Sequence, residues 1–149
     1  MVTWETCRSF FEPDGSLRDV YVRGGGLPGW HALLGIAREV GGTFEVDGKA
    51  RPLPTSAEEA LALRAAASPL LSIDWHGVRL NAHFFDEADV ELDLDPAAID
   101  SSARLEILLA FMRRLSHETR LSVTLTPENC MDDAYLEVDP VNGVAVRAS

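Results

Sequence analysis

The clearest pattern in this chain is the alternation of apolar and polar positions between residues 69 and 94. Pro69–Trp75, Val78–Phe85 and Val90–Leu94 read as three strands, each with one buried and one wet face. His76-Gly77 supplies a tight first turn and Asp86–Asp89 a longer second one, so the three strands form an antiparallel meander. A two-residue first turn sets Trp75 opposite Val78, Ile73 opposite Leu80 and Leu71 opposite Ala82. All six are apolar, and that face is core. The other face then carries Ser72, Asp74, Arg79, Asn81, His83, Glu91 and Asp93, with His83 opposite Glu91.

Helical spacing brackets this meander. Leu27–Val40 places Trp30, Leu33, Leu34, Ala37 and Val40 on one stripe, and Gly41-Gly42 stops it. Ser56 with Glu59 matches a capping box and opens an alanine-rich helix to about Ala67. Ser102 caps a third helix to about His117, with Leu105, Leu108, Leu109, Met112 and Leu115 inward. Further strands are expected at Leu17–Arg23, Thr43–Val46 and Leu121–Thr126, with an edge hairpin of Tyr135–Val138 and Val144–Arg147 around Asn142-Gly143. The turn chemistry of Pro13-Asp14-Gly15 suggests that Phe10-Phe11 and Leu17–Arg23 form a hairpin. Phe-Phe-acid, strand, helix, strand occurs from Phe10 to Val46 and again from Phe84 to Thr126, an echo that would fit duplicated ββαβ units. The expectation is a single α+β domain over residues 1–149, with a largely antiparallel sheet and about three helices packed on one face.

Composition narrows the function classes. The chain has 149 residues, 46% of them hydrophobic, which is enough for one packed core. Thirteen basic and 24 acidic residues give a net charge of −11. The segment Asp74–Asp100 alone holds one basic and eight acidic residues, a net −7. Such a concentration repels phosphate backbones and anionic lipid surfaces, and attracts and steers a basic protein. No apolar run approaches the roughly 20 residues of a membrane span, and the first residues do not resemble a secretory signal. Cys7 and Cys130 are too few and too scattered for a disulfide framework or zinc site, so both are read as reduced thiols in a cytoplasmic protein.

Motifs with chemical potential are sparse. Gly24-Gly25-Gly26-Leu27-Pro28-Gly29 matches G-x-G-x-x-G between a strand and a helix, with Asp47 in the region of a ribose-binding acid. Against a dinucleotide site, the preceding strand carries three charges, whereas a central parallel strand is almost wholly apolar. His83, flanked by Asn81 and Asp93 and opposite Glu91, is the histidine with company suited to proton transfer or a divalent metal, but a third strong ligand is missing. No nucleophile motif occurs, and neither cysteine has a neighbouring His or basic helix start. Trp4, Trp30 and Trp75 suit core positions, although Trp75 beside His76-Gly77 could also anchor a partner. No catalytic set, metal or cofactor is expected.

The stretches FFEPDGSLRDVYV, PLLSIDWHGVRLNAHFFDEADVELDLDP and LTPEN resemble, in overall character, small acidic bacterial proteins of the immunity type. That resemblance implies a protein that neutralises a cognate toxin by occluding its active site. Asp86, Glu87, Asp89, Glu91, Asp93 and Asp95 would then meet cations of a basic cleft, with Trp75 and His76 as apolar anchor and Asp74 and His83 beside them. The alternatives are a small-ligand or nucleotide-binding protein using Gly24–Gly29, and a structural protein, monomeric or homodimeric, that pairs through an edge strand. An enzyme acting through His83 and Glu91 comes last.

Overall fold

The computed structural model describes residues 2–148. Its centre is a nine-stranded sheet in which every pairing is antiparallel, in the order β3-β2-β4-β5-β6-β1-β7-β8-β9. The strands are β1 Arg18–Val22, β2 Thr43–Val46, β3 Lys49–Arg51, β4 Pro69–Trp75, β5 Val78–Ala82, β6 Val90–Leu94, β7 Val123–Pro127, β8 Leu136–Asp139 and β9 Gly143–Val146. The helices are α1 Trp4–Cys7, α2 Gly26–Val40, α3 Ala57–Leu63 and α4 Ser102–Thr119, with a 3-10 turn at Arg8–Phe11. This is an α+β domain. No helix among the described residues is long and apolar enough to cross a membrane.

The two long helices pack on each other and on one face of the sheet. α2 contributes Trp30, Leu33, Leu34, Ile36 and Ala37 to the core, and Gly41, in the left-handed region at φ 74°, closes its C-terminus. In α4 the expected Leu105, Leu108, Leu109, Met112 and Leu115 are all buried, joined by Phe111, but the N-cap is Ser101 and not the expected Ser102: the Ser101 hydroxyl accepts the Arg104 N–H and Ser102 is the first helical residue. Opposite them the sheet presents Val20, Val22, Leu71, Ile73, Val78, Leu80, Val90, Leu92 and Leu125, all at or near zero exposure. The meander register is the expected one: Trp75 pairs with Val78, Ile73 with Leu80 and Leu71 with Ala82.

Other expectations need correction too. Phe10 and Phe11 belong to the 3-10 turn and form no hairpin with β1. Arg18, 3% exposed, pulls this segment against the sheet end: its Nε donates to the Phe10 carbonyl (2.6 Å) and a terminal nitrogen to that of Glu12 (3.0 Å). β1 itself, charged as it is, lies at the middle of the sheet between β6 and β7, with all five residues buried. β5 stops at Ala82 rather than Phe85, because Phe84 turns into the left-handed region at φ 57°. That turn drives Phe84 into the core against Trp30 (4.7 Å between centroids) and leaves Phe85 56% exposed. α3 ends at Leu63, and Asp47-Gly48 leads into an unforeseen edge strand, β3.

The echoing segments occupy the sheet differently. β1–α2–β2 crosses three intervening strands, whereas β6–α4–β7 straddles β1 alone. The two units are therefore not superposable repeats in the sheet.

Candidate functional site

The face of the sheet turned away from α2 and α4 carries two polar rows across its central strands. In one, Ser72, Asn81, Asp93, Asp19 and Thr126 follow one another through β4, β5, β6, β1 and β7. In the other, Glu91 pairs with Tyr21, Tyr21 with Thr124, and Thr124 with Glu137. Two carboxylates, Asp19 and Asp93, thus stand directly opposite each other on neighbouring strands. Like charges in that position destabilise a sheet.

The surroundings decide how these acids behave. Asp19 is 3% exposed. Its Oδ2 accepts the Asn129 N–H at 2.8 Å and the Tyr21 hydroxyl at 3.1 Å. Burial nonetheless outweighs these bonds and, with Glu91 and Asp93 nearby, pushes its pKa up to about 6. Tyr21 is held far above the ordinary tyrosine range by burial and by its carboxylate neighbours, Glu91 first. Burial also raises Asp93, opposed by His83 and Asn81. The His83 Nε2 lies 3.2 Å from the Oδ2 of Asp93, one of the two residues expected to flank it. His83 also stacks on Phe85 (5.1 Å, 14°), over which the Arg64 guanidinium sits at 5.1 Å.

The ten residues expected to bind a partner form a line along the meander rather than one patch. Asp74, Trp75 and His76 lie at the β4–β5 turn, at the end where β6 finishes and Asp95 follows. Asp86, Glu87 and Asp89 lie at the other end, about 17 Å away for a five-residue strand. His83, Glu91 and Asp93 occupy the face between. Trp75 is not a surface anchor. It is 8% exposed, donates its Nε1–H to the Ile107 carbonyl (3.1 Å) and meets Phe111 edge-on, because it belongs to the apolar set of its strand. The exposed aromatic of this region is Phe85.

Several of the acids also hold backbone. Asp74 accepts the Gly77 N–H (2.8 Å), Asp86 that of Ala88 (2.9 Å) and Asp95 that of Ala97 (2.9 Å). Asp89 reaches across to the Gly24 N–H (2.7 Å). Glu87 is exposed and has no side-chain bond to any described residue.

That last aspartate bears on the glycine motif. The Gly24 N–H is taken by Asp89 and the Gly26 N–H by the Ala88 carbonyl (2.9 Å), while the Trp30 Nε1–H holds the Asp86 carbonyl (2.9 Å). A carboxylate therefore stands where a phosphate would have to bind. The glycines serve close packing instead: a Cβ on Gly29 would lie 2.9 Å from a Val90 methyl, and one on Gly25 would lie 3.2 Å from it. The geometry does not favour nucleotide binding at this loop.

Beside the acid cluster, the far face of β7 and β8 floors a shallow cavity of about 820 Å³, walled by residues 131–135 and crossed by the pairs Arg23–Asp132 and Arg147–Glu137, each 2.8 Å. Thr124 lines this floor, and its hydroxyl is buried without a partner among the described residues. No group of three His, Cys, Asp or Glu among the described residues is arranged to hold a metal ion. Cys7 is buried and Cys130 half-buried, both as free thiols, and burial raises Cys7.

Sequence reasoning missed Asp19 and Tyr21. Their signal is the alternation Asp19-Val20-Tyr21-Val22, which marks a second polar face, but nothing local places that strand beside Asp93. Comparison with known proteins returns no matching family model, no matching curated protein and no matching solved structure.

Proposed function

We propose that this chain is a protein-binding module that engages a basic partner along the open face and turn ends of β4–β6 and acts by occlusion, as an immunity-type inhibitor of a toxin with a basic cleft. The observation that supports the reading is the Asp19–Asp93 juxtaposition. It works against the free fold, and a cation brought to Asp93 and Glu91 would relieve it. Phe85, exposed and flanked by His83 and Arg64, replaces Trp75 as the aromatic anchor. Acidic steering speeds association and makes it salt-sensitive, while the anchor sets dissociation. Two free thiols suit a cytoplasmic site of action.

The test is capture from lysate of the source cell on immobilised protein, at low and then moderate salt, followed by assay of the captured protein's activity. A single stoichiometric basic partner, inhibited on binding and lost with Glu87→Lys plus Phe85→Ala, is the expected result. These positions are chosen because Glu87 holds no backbone N–H and Phe85 lies outside the core. Equal retention by the double variant, or no partner at low salt, would sink the proposal.

A further inference from the structure

The two edges of the sheet are built differently. β3 is three residues long, carries Lys49 and Arg51, is exposed throughout, and runs into Pro52. Short length, charge and proline are the devices that keep an edge from accepting another strand. β9, four residues long, lacks the other two: Gly143, Val144, Ala145 and Val146 carry no charge and no proline. Val144 and Val146 are partly buried against the core, and Val141, in the preceding turn, is 87% exposed.

The hydrogen-bond phase of β9 shows what its edge offers. Arg147 donates its N–H to the Tyr135 carbonyl at 2.9 Å, and the register pairs Ala145 with Glu137 and Gly143 with Asp139. Residues 143, 145 and 147 therefore turn their backbone groups toward β8. The N–H and C=O groups of Val144 and Val146 point to the open side, four groups in all.

From this we infer that β9 is a self-association edge, at which a second copy of the chain pairs antiparallel about a two-fold axis through Ala145. In that register Val144 lies opposite Val146 of the second copy, and Val146 opposite its Val144. Each of these is a hydrogen-bonded pair, so the four outward groups of each copy are all used. The core-side face then gains a continuous row of four valines that finishes their burial. On the other face Ala145 meets its own copy, and Arg147 lies over Gly143, which has no side chain to obstruct it. No like charges face each other across the seam, because Arg147 is already paired with Glu137 of its own chain at 2.8 Å. An isologous contact of this kind closes on itself as a dimer.

Sedimentation velocity on the full chain, from about 1 to 300 μM and at about 0.05 and 0.5 M salt, tests the inference. The expected result is a concentration-dependent dimer that tightens with salt, since each copy carries −11 and screening reduces their repulsion. That dependence is opposite to the one expected for a basic partner on the β4–β6 face, so the two proposals can fail separately. Val146→Pro removes one outward N–H without touching a β8–β9 bond, and Val144→Lys places a charge in the valine row. Each is expected to weaken the dimer about tenfold or more while the melting profile stays cooperative. Ala50→Lys on β3 serves as the control and should leave the dimer unchanged. A single-chain mass at every concentration and salt would overturn the inference, as would a dimer equally strong in both β9 variants.

Discussion

Asp19→Asn isolates the acid cluster. In the folded chain Asp19 is pushed up from its ordinary 3.8 to about 6. The native state therefore binds the proton more tightly than the unfolded chain does. Between pH 3.8 and pH 6 the native state holds more protons, so stability falls as pH rises through that window and stays lowered above it. At about 1.4 kcal/mol per pH unit, Asp19 costs the fold about 3 kcal/mol at pH 7.5 and almost nothing below pH 4. Asparagine keeps the shape and an oxygen that can accept from the Asn129 N–H and the Tyr21 hydroxyl, and it cannot ionise. The variant should be about 2–3 kcal/mol more stable than the parent at pH 7.5, equal to it near pH 3.5, and flatter in between. For a chain of this size, that is a rise in Tm of about 6–10 °C at neutral pH. Urea unfolding followed by fluorescence of the buried Trp30 and Trp75, at several pH values, measures it. If the variant is no more stable at pH 7.5, or keeps the parent's slope between pH 4 and 6, the cluster carries no electrostatic penalty and the argument from it fails.

Two further outcomes follow from packing. Gly29→Ala should cost about 1–3 kcal/mol in denaturant unfolding, because its Cβ would lie 2.9 Å from a Val90 methyl, and Val90→Ala in the same chain should recover part of that loss. Arg18→Lys should cost about 2–4 kcal/mol and increase proteolysis near residues 8–16, since a lysine cannot reach the carbonyls of Phe10 and Glu12 and the Asp14 carboxylate together.

The parts of this fold that were readable from the sequence are those governed by local chemistry. The β4–β5 register follows from a two-residue turn, and a period of two then assigns every side chain of both strands to a face. α2 and α4 follow from their apolar stripes, and the end of α2 from Gly41, whereas the cap of α4 falls one residue before the expected Ser102. The insertion of β1 between β6 and β7 was not readable, because its partners lie about 70 and 105 positions away and pairing at that range leaves no local mark. For the same reason, alternation alone extended β5 to Phe85, when the competition of Phe84 and Phe85 for one core position is settled by the left-handed turn at Phe84. Trp75 illustrates the converse: its place in the apolar register identified it as core, and the expectation of an anchor, drawn from its nearness to an exposed turn, is the one that the structure overturns.

Two kinds of aspartate govern how any binding experiment on this chain is to be read. Asp14, Asp74, Asp86, Asp89, Asp95 and Asp139 each accept one or more backbone N–H groups at turns, a job that aspartate does well whatever the protein's function. They also belong to the acidic field that would steer the proposed basic partner. Removing any of them loosens a turn and weakens the field together, so lost binding in such a variant says nothing about contact. Asp89 is the extreme case, since it ties the second meander turn to the start of α2. Asp19 and Asp93 are of the other kind. They face each other across a strand pair next to His83 and Tyr21, and of the two only Asp19 holds a backbone N–H, that of Asn129 in the turn after β7. Neutralising Asp93 changes the charge on the open face without releasing a turn. Asp93→Asn should therefore slow capture of a basic partner while leaving the fold as stable as the parent or more so. A partner that bound the variant unchanged would place its contacts on the turn ends alone.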